Sequence, residues 1–443
     1  MKKIIDAEVI KYDEKGKGII IDNNIPITIP NAIVSEKVKV KINKISKKNG
    51  YGEIIDILRE SKDRVSSKCK YSDKCGGCNL LHMSEMSQKE FKIEKVKEAF
   101  NKFDIKIKDI SYIKNDNPFG YRNKLSLPLL RVKDKIEVGL YKEYSNEIIP
   151  IKECIIQEKI INVLLKSVVD VLNIHNVSVY NQEKQSGYLR QIIIKSSKAN
   201  NQLLLGFVVN DTKYTNKLDI VIKQLLVDNN NIKSIVINFN DKNTNVILGE
   251  KNQIVYGTGY IIDTVNNLDF KISLNSFYQV NANQMNNLYL KAIQMANLNN
   301  EDIVLDAYCG VGTISTYISK TVKKVVGVDI VPSAIKDANN NKLINNITNV
   351  EFVCSDVNDY MLENHNLFNK IILDPPRKGA TKEFLDIVLK MQVNKIVYIA
   401  CDVNTQARDV AYLIQNGFKV DKVCAVDLFS QTFHIENIVL LTK

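Results

Sequence analysis

At 443 residues the chain exceeds one ordinary domain, so two or three are expected, and an apolar fraction of 45% can fill their cores. No apolar run approaches the roughly 18 residues a membrane helix needs, which argues against a helical membrane protein. The net charge of +11 suits a polyanionic partner, and residues 1–110 carry much of it, with 24 Lys+Arg against 17 Asp+Glu. The opening run "MKKIIDAEVIKYDEKG" has Asp6 and Glu8 where a secretion signal needs its apolar centre, so a cytoplasmic protein with no membrane partner is expected.

In chain order, residues 1–60 alternate in short strand-like runs, "DAEVIKYD", "GKGIIIDN", "IPITIP", "EKVKVKINKI" and "YGEIIDIL", separated by Gly, Asn and Pro. That pattern predicts a small antiparallel barrel, an architecture that often presents a nucleic-acid surface. The stretch "EKGKGIIIDNNIPITIPNAIVSEKVKVKINKISKKNGYGEIIDILRES" resembles the TRAM domain, an OB-like RNA-binding barrel. Basic charge alone could mark only a solvated lysine-rich surface, but on such a barrel it favours RNA.

Residues 61–80 form a cysteine segment, "CKYSDKCGGC", with Cys69, Cys75 and Cys78 in a C-x5-C-x2-C array. Next, "SQKEFKIEKVKEAFNKF" reads as an amphipathic helix with Phe91, Val96 and Phe100 near one face. This helix, about 85–103, could pack on the catalytic domain. Residues 110–270 read as strand-rich, with candidates "KLSLPLLRV", "KIEVGLY", "LRQIIIKSS", "QLLLGFVV" and "SIVINFN" and at least two helices between them. The expected division is a barrel over 1–60, a central domain over 61–270 and a catalytic domain over 271–443.

From residue 283 helices and strands alternate, the rhythm of a parallel sheet covered by helices on both faces. In "VLDAYCGVGTIS" a buried strand ends in an acid and a tight turn with Gly310 and Gly312 opens a helix. The next strand, "VVGVDI", ends in Asp329, where a carboxylate can bind both hydroxyls of a ribose. This is neither the GxGxxG of dinucleotide enzymes nor a P-loop. It resembles the S-adenosyl-L-methionine crevice of class I methyltransferases, with Asp356 of "CSD" near the third strand's end.

The fourth strand runs into "IILDPPRKG", putting Asp374 at the mouth of the crevice. Enzymes that methylate exocyclic amines follow such a motif with an aromatic residue, and here Arg377 stands instead. That leaves transfer to a ring carbon. Uracil C5 is a poor nucleophile until a thiolate adds to C6, and a base must then remove the C5 proton so that the thiol can leave. Such chemistry needs one accessible cysteine and one carboxylate or histidine. "KIVYIACDVN" supplies Cys401 at a strand end, although a free cysteine is more often a buried thiol.

The stretches "SFYQVNANQMNNLY", "LDAYCGVGTIS", "GVDIVPSAI", "ILDPPRKG", "YIACDVNTQARD" and "DLFSQTFHIENIVLL" together resemble the RNA (uracil-5-)-methyltransferase family in residues and order. With the TRAM-like start and the cysteine segment, the likeness covers nearly the whole chain. It implies an α/β class I (Rossmann-like) methyltransferase domain behind an OB-like TRAM β-barrel and a β-rich central domain with a cysteine cluster site. By the same resemblance Cys401 is the nucleophile, Glu436 the base, and Asp374 a hydrogen-bond partner of the uracil edge that also borders the cofactor. Gln279 would touch cofactor and base, and Phe277 would pack beside the base. Tyr308, Gly310, Asp329 and Asp356 would hold S-adenosyl-L-methionine. Two residues depart from the family pattern: Asp329 stands for a more usual glutamate and Phe433 for a proline. His434, beside a strand, reads as structural, and Cys309, Cys354 and Cys424 as buried thiols.

Cys154 lies 76 residues beyond Cys78 and can complete four ligands with Cys69, Cys75 and Cys78. A reducing cytosol disfavours disulfides, leaving tetrahedral zinc or an iron–sulfur cluster. Three clustered thiols with a remote fourth fit a [4Fe–4S] cluster, as the resemblance also implies. Its role would be structural, because uracil methylation needs no electrons and the C-x3-C-x2-C spacing of radical enzymes is absent. The expected activity is formation of 5-methyluridine in 23S ribosomal RNA by a monomer. The tRNA T-loop is the alternative substrate, and a catalytically inactive RNA-binding protein the rival from another class.

Overall fold

Alternation of β-branched residues with lysine builds the first sheet. In the strand Lys37–Ile45, Val38, Val40 and Ile42 turn inward while Lys37, Lys39 and Lys41 take the outer face. The computed structural model describes residues 3–243, 246–391 and 393–443. Its first six strands, Ile4–Glu8, Lys11–Tyr12, Gly18–Asp22, Ile25–Ile29, Lys37–Ile45 and Gly50–Arg59, join in the order first, fifth, sixth, fourth, third, second. They close over a small core of Val9, Ile20, Ile27, Ile29, Val38 and Val40. Glu36 is buried beside this core. Its carboxylate accepts from the Ile33 N–H at 2.9 Å and from Arg64 Nη2 at 2.7 Å, which ties the sheet to the segment that follows.

The central sheet has seven strands in the order Ile148–Ile151, Lys135–Tyr141, Lys124–Val132, Leu189–Ser197, Gln202–Val209, Ile232–Phe239, Lys251–Gly257. Period-two alternation divides its apolar side chains between two faces. Ile192, Ile194, Leu205 and Phe207 pack under the helices Lys159–Ile174 and Asn216–Asp228. Ile193, Leu204, Val208 and Val236 face the other way, into a core shared with the hairpin Tyr260–Val265/Leu268–Ser273 and the C-terminal sheet. A common core of this kind leaves the two units little freedom to move apart.

The C-terminal sheet runs Val350–Cys354, Lys324–Asp329, Ile303–Ala307, Lys370–Leu373, Lys395–Ala400, Glu436–Thr442, Lys419–Val426, Ser111–Ile113. The first five strands are parallel, and Glu436–Thr442 lies antiparallel to both of its neighbours. Helices cover both faces, Ala282–Ala296 on one and Lys382–Lys390 with Val403–Gln415 on the other. The helix Glu85–Asn101 packs on this second layer through Val96, Ala99 and Phe100. The strand Ser111–Ile113, which the sequence does not announce, then extends the sheet. No helix among the described residues is long and apolar enough to cross a membrane.

Lys92 of that first helix is wholly buried and ion-paired with Asp427, and its ammonium also donates to the Phe429 carbonyl at 3.3 Å. Burial pulls its pKa down and Asp427 opposes the shift. Removing one partner of such a pair strands the other charge. Lys92→Met is therefore expected to lower stability by about 3–5 kcal/mol, with Lys92→Met/Asp427→Asn recovering part of the loss, as thermal unfolding will show.

Candidate active site

The chain leaves the strand Ile303–Ala307 for one side of the sheet and later returns to Lys370–Leu373 on the other. This reversal opens a crevice beyond the carboxyl ends of the two strands. Its floor is the turn Ala307–Thr313, where Tyr308, Gly310 and Gly312 have φ of +64°, +54° and +74°. A Cβ at Gly312 would meet the Phe352 ring at 2.3 Å, whereas one at Gly310 would meet nothing within 4 Å, so the floor at Gly310 is open. Asp306 is buried beneath the turn and accepts from the Ser315 N–H and hydroxyl at 2.9 and 2.6 Å. Its other oxygen is buried without a partner, and burial pushes its pKa up to about 7.

Asp329 shapes the same turn, accepting the Gly310 N–H on one oxygen and the Val331 N–H on the other, each at 2.9 Å. A carboxylate has about four acceptor positions, so capacity for a ligand remains. Asp356 opens the helix Val357–Asn364, accepts the Asn358 N–H at 2.8 Å and acts electrostatically on half-buried Tyr308.

Strand register brings Cys401, Glu436 and Asp374 together. Ala400 pairs with Asn437, so the next antiparallel step sets Cys401 opposite Glu436. Leu373 neighbours Tyr398 on the other side, which sends Asp374 out beside them. Asp402, directly after Cys401, serves as the N-cap of Val403–Gln415 by accepting the Asn404 and Thr405 N–H groups at 3.0 and 3.3 Å.

Burial raises the pKa of Asp374 to about 7, with the Asp306 charge adding to the effect. Glu436 is buried, and desolvation followed by the Asp374 charge pushes it well above the ordinary carboxylate range. Half-buried Cys401 is raised to about 11 by burial, Glu436 and Asp374, against the pull of the Arg377 guanidinium. Gln279 is buried, its carbonyl accepts from Asn123 Nδ2 at 3.0 Å, and its side chain hydrogen-bonds Tyr289. Phe277 is 72% exposed, an apolar ring left open beside this loop.

Sequence reasoning noted Arg377 only as a departure and gave Tyr289 no part, although the quoted "FYQVNANQMNNLY" contains it. His434 packs its ring 4.1 Å from Phe433, and burial lowers it to about 4, so it is neutral at physiological pH. Cys309 and Cys424 are buried as expected, but Cys354 is exposed. It ends the edge strand Val350–Cys354, which pairs with Lys324–Asp329 on one side of the sheet.

Cys69, Cys75, Cys78 and Cys154 are free thiols that line a single cavity of about 310 Å³. Burial raises the pKa of Cys75, Cys78 and Cys154. Arg122 and Gln157 also line it, and Arg122 Nε and Gln157 Oε1 are buried without partners. Among the described residues no three His, Cys, Asp or Glu side chains are already gathered closely enough to hold an ion. The donor set fits a thiolate-bound group, and a cation at Arg122 suits the negative charge such a group carries.

A parallel sheet with a glycine turn and a strand-end acid at its switch point is the Rossmann-like frame of a methyltransferase. The family described as tRNA (Uracil-5-)-methyltransferase matches residues 84–443. A protein of Clostridium tetani named an uncharacterized RNA methyltransferase is 38% identical over 434 residues, 97% of this chain and 94% of that one. One from Staphylococcus aureus with the same description is 36% identical over 440 residues, 98% and 96% of the two chains. Among solved structures, the tRNA (uracil-54, C5)-methyltransferase of Pyrococcus abyssi in complex with S-adenosyl-L-homocysteine superposes with a TM-score of 0.80. It is 25% identical and covers 99% of each chain. The chain thus belongs to the tRNA (uracil-5-)-methyltransferase family, a family of S-adenosyl-L-methionine-dependent RNA methyltransferases.

With its thiol pushed up to about 11, Cys401 is almost wholly protonated at pH 7. Its alkylation by iodoacetamide, followed site by site by mass spectrometry, should rise about tenfold per pH unit from 7 to 10. Arg377→Ala removes the opposing cation and should slow the reaction at every pH in that range.

Proposed function

We propose that the protein methylates C5 of a uridine in 23S ribosomal RNA, using Cys401 as nucleophile and Glu436 as base. The observation that carries this reading is the strand register setting Cys401 opposite Glu436, with Asp374 on the next strand. The target base, flipped out of its stack, would enter over Phe277 and meet Asp374 and Gln279 along its edge. The Cys401 thiolate, favoured by Arg377, adds to C6, and the C5=C6 electron pair moves into an enolate. Tyr308, Gly310, Asp329 and Asp356, with Gln279 and Asp374 nearby, would hold S-adenosyl-L-methionine, which would supply an electrophilic methyl group: C5 takes it as the methyl–sulfur bond breaks, with S-adenosyl-L-homocysteine as the leaving group. Glu436 then removes the C5 proton, the C5=C6 bond re-forms, and Cys401 leaves as thiolate. Desolvation that raises the Glu436 pKa makes its carboxylate a stronger base for this proton.

The remaining parts of the reading follow the same lines. Residues 1–60 act as a TRAM barrel that binds RNA, supported by the six-stranded sheet with lysines on its outer face. Residues 61–270 carry a [4Fe–4S] cluster on Cys69, Cys75, Cys78 and Cys154, supported by their common cavity. Residues 271–443 hold the methyltransferase centre, and the protein works as a cytoplasmic monomer. Iron, rather than zinc, is the expected metal of anaerobically purified protein.

The likeness to the Pyrococcus abyssi enzyme favours a second reading, in which the tRNA T-loop is the substrate. One experiment separates the readings: unmodified 23S ribosomal RNA and tRNA are incubated with labelled S-adenosyl-L-methionine and either wild type or Cys401→Ala. Label should enter the ribosomal RNA and fall by more than about 10³-fold in the variant. Equal incorporation by both proteins sinks the covalent mechanism. Label in tRNA alone selects the second reading, and label in neither RNA selects the inactive RNA-binding protein.

A further inference from the structure

The loop joining the last two strands breaks a general habit of loops. Residues 427–435 connect Lys419–Val426 to Glu436–Thr442, yet Asp427, Leu428, Ser430, Gln431, Thr432 and Ile435 are all buried. Connecting segments normally run over the surface, because burial strips their backbone groups of water. Here other elements supply the partners. Gln284 Nε2 donates to the Asp427 carbonyl and Asn281 Nδ2 to that of Leu428, both at 3.1 Å. The Tyr121 hydroxyl donates to the Ser430 carbonyl at 2.9 Å, and Lys95 Nζ to that of Phe433 at 3.0 Å.

Gln431 sits at the centre of the loop with φ of +69°, a left-handed conformation that a residue with a side chain keeps only under constraint. The constraint comes from the cysteine segment and the first helix. Asn79 and Leu80, next after Cys78, donate their backbone N–H groups to the Gln431 carbonyl at 3.0 and 3.1 Å. The Gln88 amide donates to Gln431 Oε1 at 3.1 Å, and also to the Leu80 and Met83 carbonyls at 3.1 and 3.0 Å. One side chain thus joins the helix, the cysteine segment and the loop. Five residues after Gln431 the chain reaches Glu436.

We propose that Gln431 and Gln88 are positioning residues: they lock the loop so that Glu436 is held against Cys401, and the cysteine segment completes the lock through Asn79 and Leu80. Both glutamines are buried within the protein. The inference rests on the reading of Glu436 as the base that releases the covalent RNA adduct. A base displaced by about 1 Å loses up to a hundredfold in rate while binding is preserved.

The test compares wild type, Gln88→Ala, Gln431→Gly and Glu436→Gln in turnover, KM, thermal unfolding and the methylated RNA–protein adduct that survives denaturing electrophoresis. Glycine adopts a φ of +69° without strain, so Gln431→Gly removes the side-chain clasp while easing the backbone, and it decides the matter if Gln88→Ala does not fold. Both clamp variants should lower kcat on the order of tenfold to a hundredfold, leave both KM values within about twofold, and accumulate adduct as Glu436→Gln does. Adduct in Glu436→Gln but none in folded Gln431→Gly overturns the clamp and spares the base. No adduct in Glu436→Gln overturns the reading of the base itself, and the clamp with it.

Discussion

Two carboxylic acids, Asp374 and Glu436, are drawn within electrostatic reach of each other at the end of the sheet, with a third, Asp306, beneath them. Burial and like charge both oppose ionisation, so the native protein retains protons that the unfolded chain gives up near pH 4. For Asp306 and Asp374, raised to about 7, the linkage has a definite sign. Their effect on stability is most favourable below about pH 4 and becomes adverse as the pH climbs to about 7. Ser315 and Arg377 offer local relief. The apolar layers on both faces of the sheet must offset the rest, with Leu305 and Leu373 packed to one side and Val304 and Ile372 to the other.

The same constraint explains the sense of the last strand. Parallel strands deliver the residues that follow them, here Asp374 and Cys401, to one end of the sheet. Only an antiparallel strand can bring its first residue to that end, and Glu436 is that residue. The turn that leads into it must therefore cross the crevice end among protein atoms. Helix Glu85–Asn101 and the segment before it exist in the fold where that turn needs partners. In this way an N-terminal portion of the chain becomes part of the catalytic unit.

Much of this was legible in the sequence, for physical reasons that can be named. Strands such as Leu189–Ser197 and Gln202–Val209 are long enough to show their apolar character, and their bounds match the runs read from sequence. The strand Ser111–Ile113 has three residues and no period to detect. "DLFSQTF" is polar enough to pass for a surface turn; its burial depends on Lys92 and Gln88, more than 330 residues away. Arg377 was visible as an anomaly, yet its pull on the thiol depends on Cys401, which follows another strand. Cys354 was misread because thiol burial was inferred from residue type, without knowing that its strand would lie at the edge.

The four thiols are not remote from the candidate site. Their cavity is walled by Arg122 and Val280, and the residues beside these walls are Asn123 and Gln279. Asn123 joins them twice: its N–H donates to the Val280 carbonyl at 2.9 Å and its side chain to the Gln279 carbonyl at 3.0 Å. On the opposite side Asn79 and Leu80 hold Gln431. Residues next to the lining of one cavity, Asn123 beside Arg122 and Asn79 beside Cys78, therefore brace both the loop that presents Gln279 and the loop that ends in Glu436. A cavity that collapsed around unliganded thiols would shift two walls of the crevice together, whereas four ligands on one centre would hold both in place. That would give the proposed cluster, without redox work, a physical reason to sit between these loops.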